Sequence, residues 1–182
     1  MIRAFIAVRI FATPELRRLL TRLNTMGRGV RPVAPEKLHV TLKFLGDTDE
    51  SLLPQIRTLL AEIVPGRPPC DVRLIGVGAF PNAKRPAVIW IGLHDAQPLC
   101  DIATELESKL EPFGFARERR PFQPHLTLLR LRSRPPEAMF DLLAEHGATS
   151  YGMARIESVE LMQSELLPSG SRYTELLSVP LA

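Results

Sequence analysis

Two short stretches of the sequence set a histidine and a threonine two residues apart in apolar surroundings. They are "KLHVTLKFLG", with His39 and Thr41, and "QPHLTLLRL", with His125 and Thr127. The histidines are 125 − 39 = 86 residues apart, so each half of the chain carries one copy. In a β-strand, residues i and i+2 point to the same face. His39 and Thr41 therefore share a face while Val40 and Leu42 turn to the core, and His125 and Thr127 do the same opposite Leu126 and Leu128. Two imidazoles near neutral pH suit concerted acid–base chemistry: the neutral ring takes a proton from a nucleophile, and the protonated ring gives one to a leaving group. The threonine hydroxyls can donate to oxygens on which negative charge grows. The combination fits attack at a phosphodiester, above all a strained cyclic one.

Such chemistry needs no metal, and no carboxylate cluster accompanies the histidines, which without a nearby Cys, Asp or Glu would make a poor metal site. No cofactor is expected. One His-x-Thr alone would carry little weight; two at matched positions carry much more. The other two histidines are not candidates. His94 sits at a strand end, and His146 precedes a helix-stopping Gly147, where it complements the helix C-terminus. By strict alternation Lys43 shares the face of His39 and Thr41 and could reach the end of their groove. Phe44 falls on the opposite face and is expected in the core.

The elements that must position these residues can be read from periodicity. "RAFIAVRI" is a first strand. "TPELRRLLTRLNTMG" is a helix with Thr13 as N-cap, Pro14 at its first position and Gly27 as its stop. Its Leu16, Leu19, Leu20 and Leu23 form one stripe. The loop "RGVRPVAPE" leads to the His39 strand, followed by a helix over 49–64 and strands over 70–78 and 86–93. A helix over 98–111 and the basic loop "RERRPFQP" lead to the His125 strand. A helix over 135–146 comes next, then strands over 153–166 and 171–180 turned at "PSG". Each half thus reads helix, motif strand, helix, strand, strand. This order implies two pseudo-symmetric lobes whose polar faces line one groove.

The chain has 182 residues, 45% of them hydrophobic, which suits one folded unit spanning 1–182 and rules against disorder. No apolar run reaches the roughly 20 residues of a membrane helix. The start, "MIRAFIAVRIF", is interrupted by Arg3 and Arg9 and reads as a strand, not a signal peptide. Cys70 and Cys100 lack metal-type spacing and read as buried free thiols of a reducing cytoplasm. The net charge is +3, and 19 of the 23 basic residues are arginine, a residue suited to phosphate and nucleic acid.

The paired motifs and their flanks resemble the 2H phosphoesterases, in particular the branch of RNA 2′,3′-cyclic phosphodiesterases, also called 2′-5′ RNA ligases. The resemblance spans nearly the whole chain: "RAFIAV", "PEKLHVTLKFLG", "FPNAKRPAVIWIGL", "RPFQPHLTLLR" and "VELMQSELLPSGSRYTELLSVPL". It implies an α+β fold of two lobes, each an antiparallel sheet with helices on its outer face, around a central V-shaped groove. It implies His39 and His125 as the catalytic pair, with Thr41, Thr127 and Arg130 binding phosphate. Simple alternation, however, puts Arg130 on the far face from His125. The implied reaction is hydrolysis of a terminal 2′,3′-cyclic phosphate on RNA to a 2′-phosphate, with 2′-5′ ligation as its reverse. The two motifs are alike, so which histidine is acid and which is base stays open at this level.

Other positions are weaker. Arg117, Arg119 and Arg120 could track an RNA backbone. Tyr173 and Ser164 recur in the family's closing strands in either a packing or a functional role. One chain can build the whole site, so a cytoplasmic monomer acting on RNA, away from membranes, is expected. Two alternatives stand beside this reading: a non-catalytic module that binds RNA ends, and a 2H phosphodiesterase acting on a 2′-5′ oligonucleotide or a small cyclic nucleotide.

Overall fold

A computed structural model describes residues 1–27, 29–168 and 170–182. The expected loop at 28–36 and turn at "PSG" each contain one residue, Arg28 and Ser169, that lies outside the described residues. In chain order the elements are β1 (Ile2–Arg9), α1 (Pro14–Asn24), β2 (His39–Thr48), α2 (Leu53–Ile63), β3 (Cys70–Phe80) and β4 (Val88–His94). They continue with α3 (Gln97–Leu110), β5 (His125–Arg130), α4 (Glu137–Glu145), β6 (Ser150–Ile156), β7 (Ser158–Leu167) and β8 (Gly170–Pro180).

Prolines and caps set the helix starts. The Thr13 side chain accepts from the Leu16 N–H at 3.1 Å, so α1 opens where its cap and Pro14 require. The helix expected from 49 begins instead at Leu53. Pro54 has no N–H and its ring clashes with the preceding turn, so it is tolerated only in the first turn of a helix. Residues 50–52 form a 3₁₀ turn capped by the Asp49 side chain. Pro135 and Pro136 likewise delay α4 to Glu137.

The strands form two four-stranded antiparallel sheets, ordered β2-β1-β7-β8 and β5-β4-β3-β6. Helices α2 and α3 pack on the first sheet, α1 and α4 on the second. Leucine, isoleucine and valine from both sheets and all four helices join in one hydrophobic core. The expected pair of lobes is present, with two differences. The segment read as one strand over 153–166 is two strands separated at Glu157, β6 joining the second sheet and β7 the first. The lobes are also not the halves of the chain. Hairpin β3–β4 from the first half sits beside the second motif strand, and β7–β8 from the second half lies in the sheet of the first. The halves exchange hairpins, so neither could bury its sheet alone.

Each motif strand lies at an edge of its sheet, and β2 and β5 touch one another. Edge strands leave one row of backbone groups free to meet another element. One such group is used: the Val33 N–H, in the loop before β2, donates to the Leu128 carbonyl of β5 at 2.6 Å.

Candidate active site

The two motif strands follow one burial pattern. From His39 to Phe44 and from His125 to Arg130 the order is half-buried, buried, half-buried, buried, buried, exposed. Strict alternation would not give two buried residues in succession. The pairing explains it. Against β1, Thr41 pairs with Ala7 and Lys43 with Ile6, which leaves Leu42 as an extra residue. Against β4, Thr127 pairs with Trp90 and Leu129 with Ile89, which leaves Leu128 as the extra residue. Each is a β-bulge, and a bulge shifts every later side chain to the other face.

The bulges correct three expectations. Arg130 comes onto the face of His125 and Thr127 rather than the far face. Phe44 comes onto the face of His39 and is 45% exposed, not core. Lys43 turns instead to the helix side and is 3% exposed. Its ammonium donates to both Glu107 oxygens at 2.8 Å and to the Ala116 carbonyl at 2.7 Å, which satisfies its three protons. Glu107 also accepts from the Glu118 N–H, so this buried pair anchors the basic loop that leads to the second motif.

Both imidazoles are held in the same way. His39 Nδ1 lies 2.8 Å from the Lys37 carbonyl, and His125 Nδ1 lies 2.8 Å from the Gln123 carbonyl. A carbonyl only accepts, so Nδ1 carries the proton in each ring and Nε2 is left with its lone pair. Aromatic rings flank both. Phe5 and Tyr173 stand 5.1 and 5.0 Å from His39, and Phe80 and Trp90 stand 5.0 and 6.4 Å from His125. They fix ring orientation without competing for Nε2. Burial holds the pKa of His39 below its ordinary value; the bond to the Lys37 carbonyl pulls partly the other way, and the Arg130 guanidinium adds to the lowering. A residue of the second motif strand is thus felt at the histidine of the first.

The sequence profile described as the 2′-5′ RNA ligase superfamily matches residues 13–166. The chain belongs to that superfamily. It is 35% identical over 176 residues to the RNA 2′,3′-cyclic phosphodiesterase of Archaeoglobus fulgidus, covering 96% of this chain and 97% of the relative. To the protein of that name from Aeropyrum pernix it is 36% identical over 170 residues, covering 92% and 96%. Among solved structures, TT0787 of Thermus thermophilus superposes with a TM-score of 0.79 at 31% identity, covering 98% of this chain and 97% of that one. Escherichia coli LigT complexed with 3′-AMP gives 0.74 at 26% identity, covering 99% and 98%.

On this superfamily fold the remaining candidates fall into place. Tyr173 pairs with Ser164 across β7 and β8, and its ring meets both Phe5 and His39, so it packs directly against a motif histidine. Arg117 is taken up by Glu111 in a local ion pair, whereas Arg119 and Arg120 are exposed. His94 ends β4 and is exposed. His146 caps α4, but as a neutral ring: its Nε2, 2.9 Å from Arg22 Nη1, can only accept there. Cys70 and Cys100 are free but half-buried, not fully buried. Among the described residues no helix is long and apolar enough to cross a membrane. Phe5, Phe80 and Trp90 were not singled out from the sequence. An aromatic residue in an apolar strand reads as core until the cross-strand pairing shows which face it takes.

Proposed function

We propose that the chain, acting as one bilobal unit of residues 1–182, hydrolyses the terminal 2′,3′-cyclic phosphate of RNA to a 2′-phosphate without a metal. The observation that carries this reading is the duplicated strand: two imidazoles, each pinned through Nδ1 to a backbone carbonyl two residues back, each leaving Nε2 free. The names of the full-length relatives from Archaeoglobus and Aeropyrum support the substrate class.

In the mechanism His39 Nε2, kept neutral by burial and Arg130, takes a proton from water as the oxygen attacks phosphorus. The P–O3′ bond breaks, and His125 Nε2 delivers its proton to the departing 3′ oxygen. The P–O2′ bond stays, leaving a 2′-phosphate and a 3′-hydroxyl. Solvent exchange then returns each ring to its starting state. Thr41, Thr127 and the Arg130 guanidinium bind the non-bridging oxygens, where charge increases in the transition state. A 5′-hydroxyl in place of water would form a 2′-5′ linkage by the reverse step, but water in bulk outcompetes a dilute RNA end. The protein is proposed to act as a cytoplasmic monomer.

The test is a short RNA ending in a 2′,3′-cyclic phosphate, incubated with the protein in EDTA, with the terminal phosphate position identified. A 2′-phosphate supports the reading. A 3′-phosphate reverses the leaving group and overturns the assignment. Salt-sensitive binding without any product identifies a module that only holds RNA ends.

A further inference from the structure

On the open face of the second sheet, a cavity of about 300 Å³ begins at His125 and runs inward over β4 and β3. Its volume falls at the small end of the range for ligand pockets. Phe80 and Trp90 wall it, Ile75 and Gly92 lie beneath, and Gln123 stands at the rim. Two glycines shape it. Gly92 is the cross-strand partner of His125, and a Cβ there would come within 2.9 Å of the Ile75 carbonyl. Gly78 is the partner of Trp90, and a Cβ there would stand 2.3 Å from the indole carbons. The absent side chains leave a low floor and let the indole lie down across β3. The Phe80 and Trp90 rings are 5.2 Å apart and tilted by 37°.

Shape and lining favour a flat, weakly polar ring over a phosphate. The walls are aromatic, and the cavity is lined by neither arginine nor lysine. A ring of that kind, tied covalently to a group at His125, is a nucleobase. We propose that this cavity receives the base of the terminal nucleoside, the one whose ribose carries the cyclic phosphate, stacked against Trp90 and Phe80. The proposal rests on the phosphodiesterase reading for placing the phosphate beside His125. It fixes the direction of the substrate: the terminal nucleoside lies against the β5-β4-β3-β6 sheet, and the rest of the RNA leaves past the other lobe. Stacking is tolerant of base identity, because every base has a π-face, so all four ends are accepted with modest preferences.

Trp90 is the one tryptophan in the chain, so its emission reports on the cavity directly. Nucleoside 2′- and 3′-monophosphates are expected to change that emission saturably. Inorganic phosphate and ribose 5-phosphate at the same concentrations are expected to leave it alone. Equal responses to nucleotide and to phosphate would overturn the proposal. A kinetic arm separates it from the phosphodiesterase reading. An RNA ending in an abasic ribose 2′,3′-cyclic phosphate is expected to show a KM raised roughly tenfold or more, with kcat changed far less. Phe80→Leu is expected to raise KM for the base-bearing end and not for the abasic one. An unchanged KM for the abasic end would sink the base pocket while the hydrolase stands. Loss of turnover on both ends with the nucleotide-specific emission change intact would sink the hydrolase while the pocket stands.

Discussion

Leu42 and Leu128 are each the extra residue of a β-bulge, and each stands one place after the threonine of its motif. The matched bulges place Phe44 and Arg130 at equivalent points of the two lobes, both exposed and both on the face of the histidines. The pseudo-symmetry is therefore broken in chemistry at one position, where one lobe presents a ring and the other a cation. Arg3 lies over the Phe44 ring at 4.9 Å, which further marks that lobe as the aromatic one.

His39→Ala and His125→Ala are each expected to lower turnover of a cyclic-phosphate RNA by about 10²–10⁴-fold, the usual contribution of a positioned acid or base. Both side chains are only half-buried, so thermal unfolding should stay near that of the parent. Full activity in either variant would refute the paired mechanism.

Arg130→Gln removes a positive charge that disfavours protonation of His39, so the His39 pKa is expected to rise toward its ordinary value. As His39 must be neutral to accept a proton, the acidic limb of the pH–rate profile moves to higher pH. An NMR titration of the imidazole protons checks the shift independently of activity. The same sign bears on stability. A histidine whose pKa is lowered by folding contributes fully above its unfolded value, and that contribution is lost as pH falls through the folded one.

Tyr173 touches His39 edge-on through its ring, not through its hydroxyl. Tyr173→Phe is expected to keep activity, while Tyr173→Ala should lower kcat by letting the imidazole move. Equal losses in the two variants would transfer the role to the hydroxyl.

Lys43 tests the bulge itself. If it lay on the open face, Lys43→Ala would affect activity and leave stability alone. On the helix side, the substitution leaves the Glu107 carboxylate partly buried without its cation and is expected to cost about 3 kcal/mol in urea unfolding. Replacing Lys43 with Met and Glu107 with Leu together should recover most of that loss.

Much of this protein was legible in the sequence because local rules decide it. Caps, prolines and apolar stripes set the helices, and a two-residue spacing puts each histidine beside its threonine whatever the rest of the chain does. The two-sheet α+β architecture followed from the repeated order of elements and the family resemblance. The sequence could not reveal the bulges at Leu42 and Leu128. A bulge exists only in the pairing of two strands, and every side chain beyond it changes face, so alternation misplaced Lys43, Phe44 and Arg130 together. Nor could it reveal the exchange of hairpins between the halves, or the rings of Phe5, Tyr173, Phe80 and Trp90 around the imidazoles. Residues distant in sequence meet there because each sheet is assembled from both halves of the chain. The reactive groups were thus set by the sequence itself, while their surroundings were decided only when the strands paired.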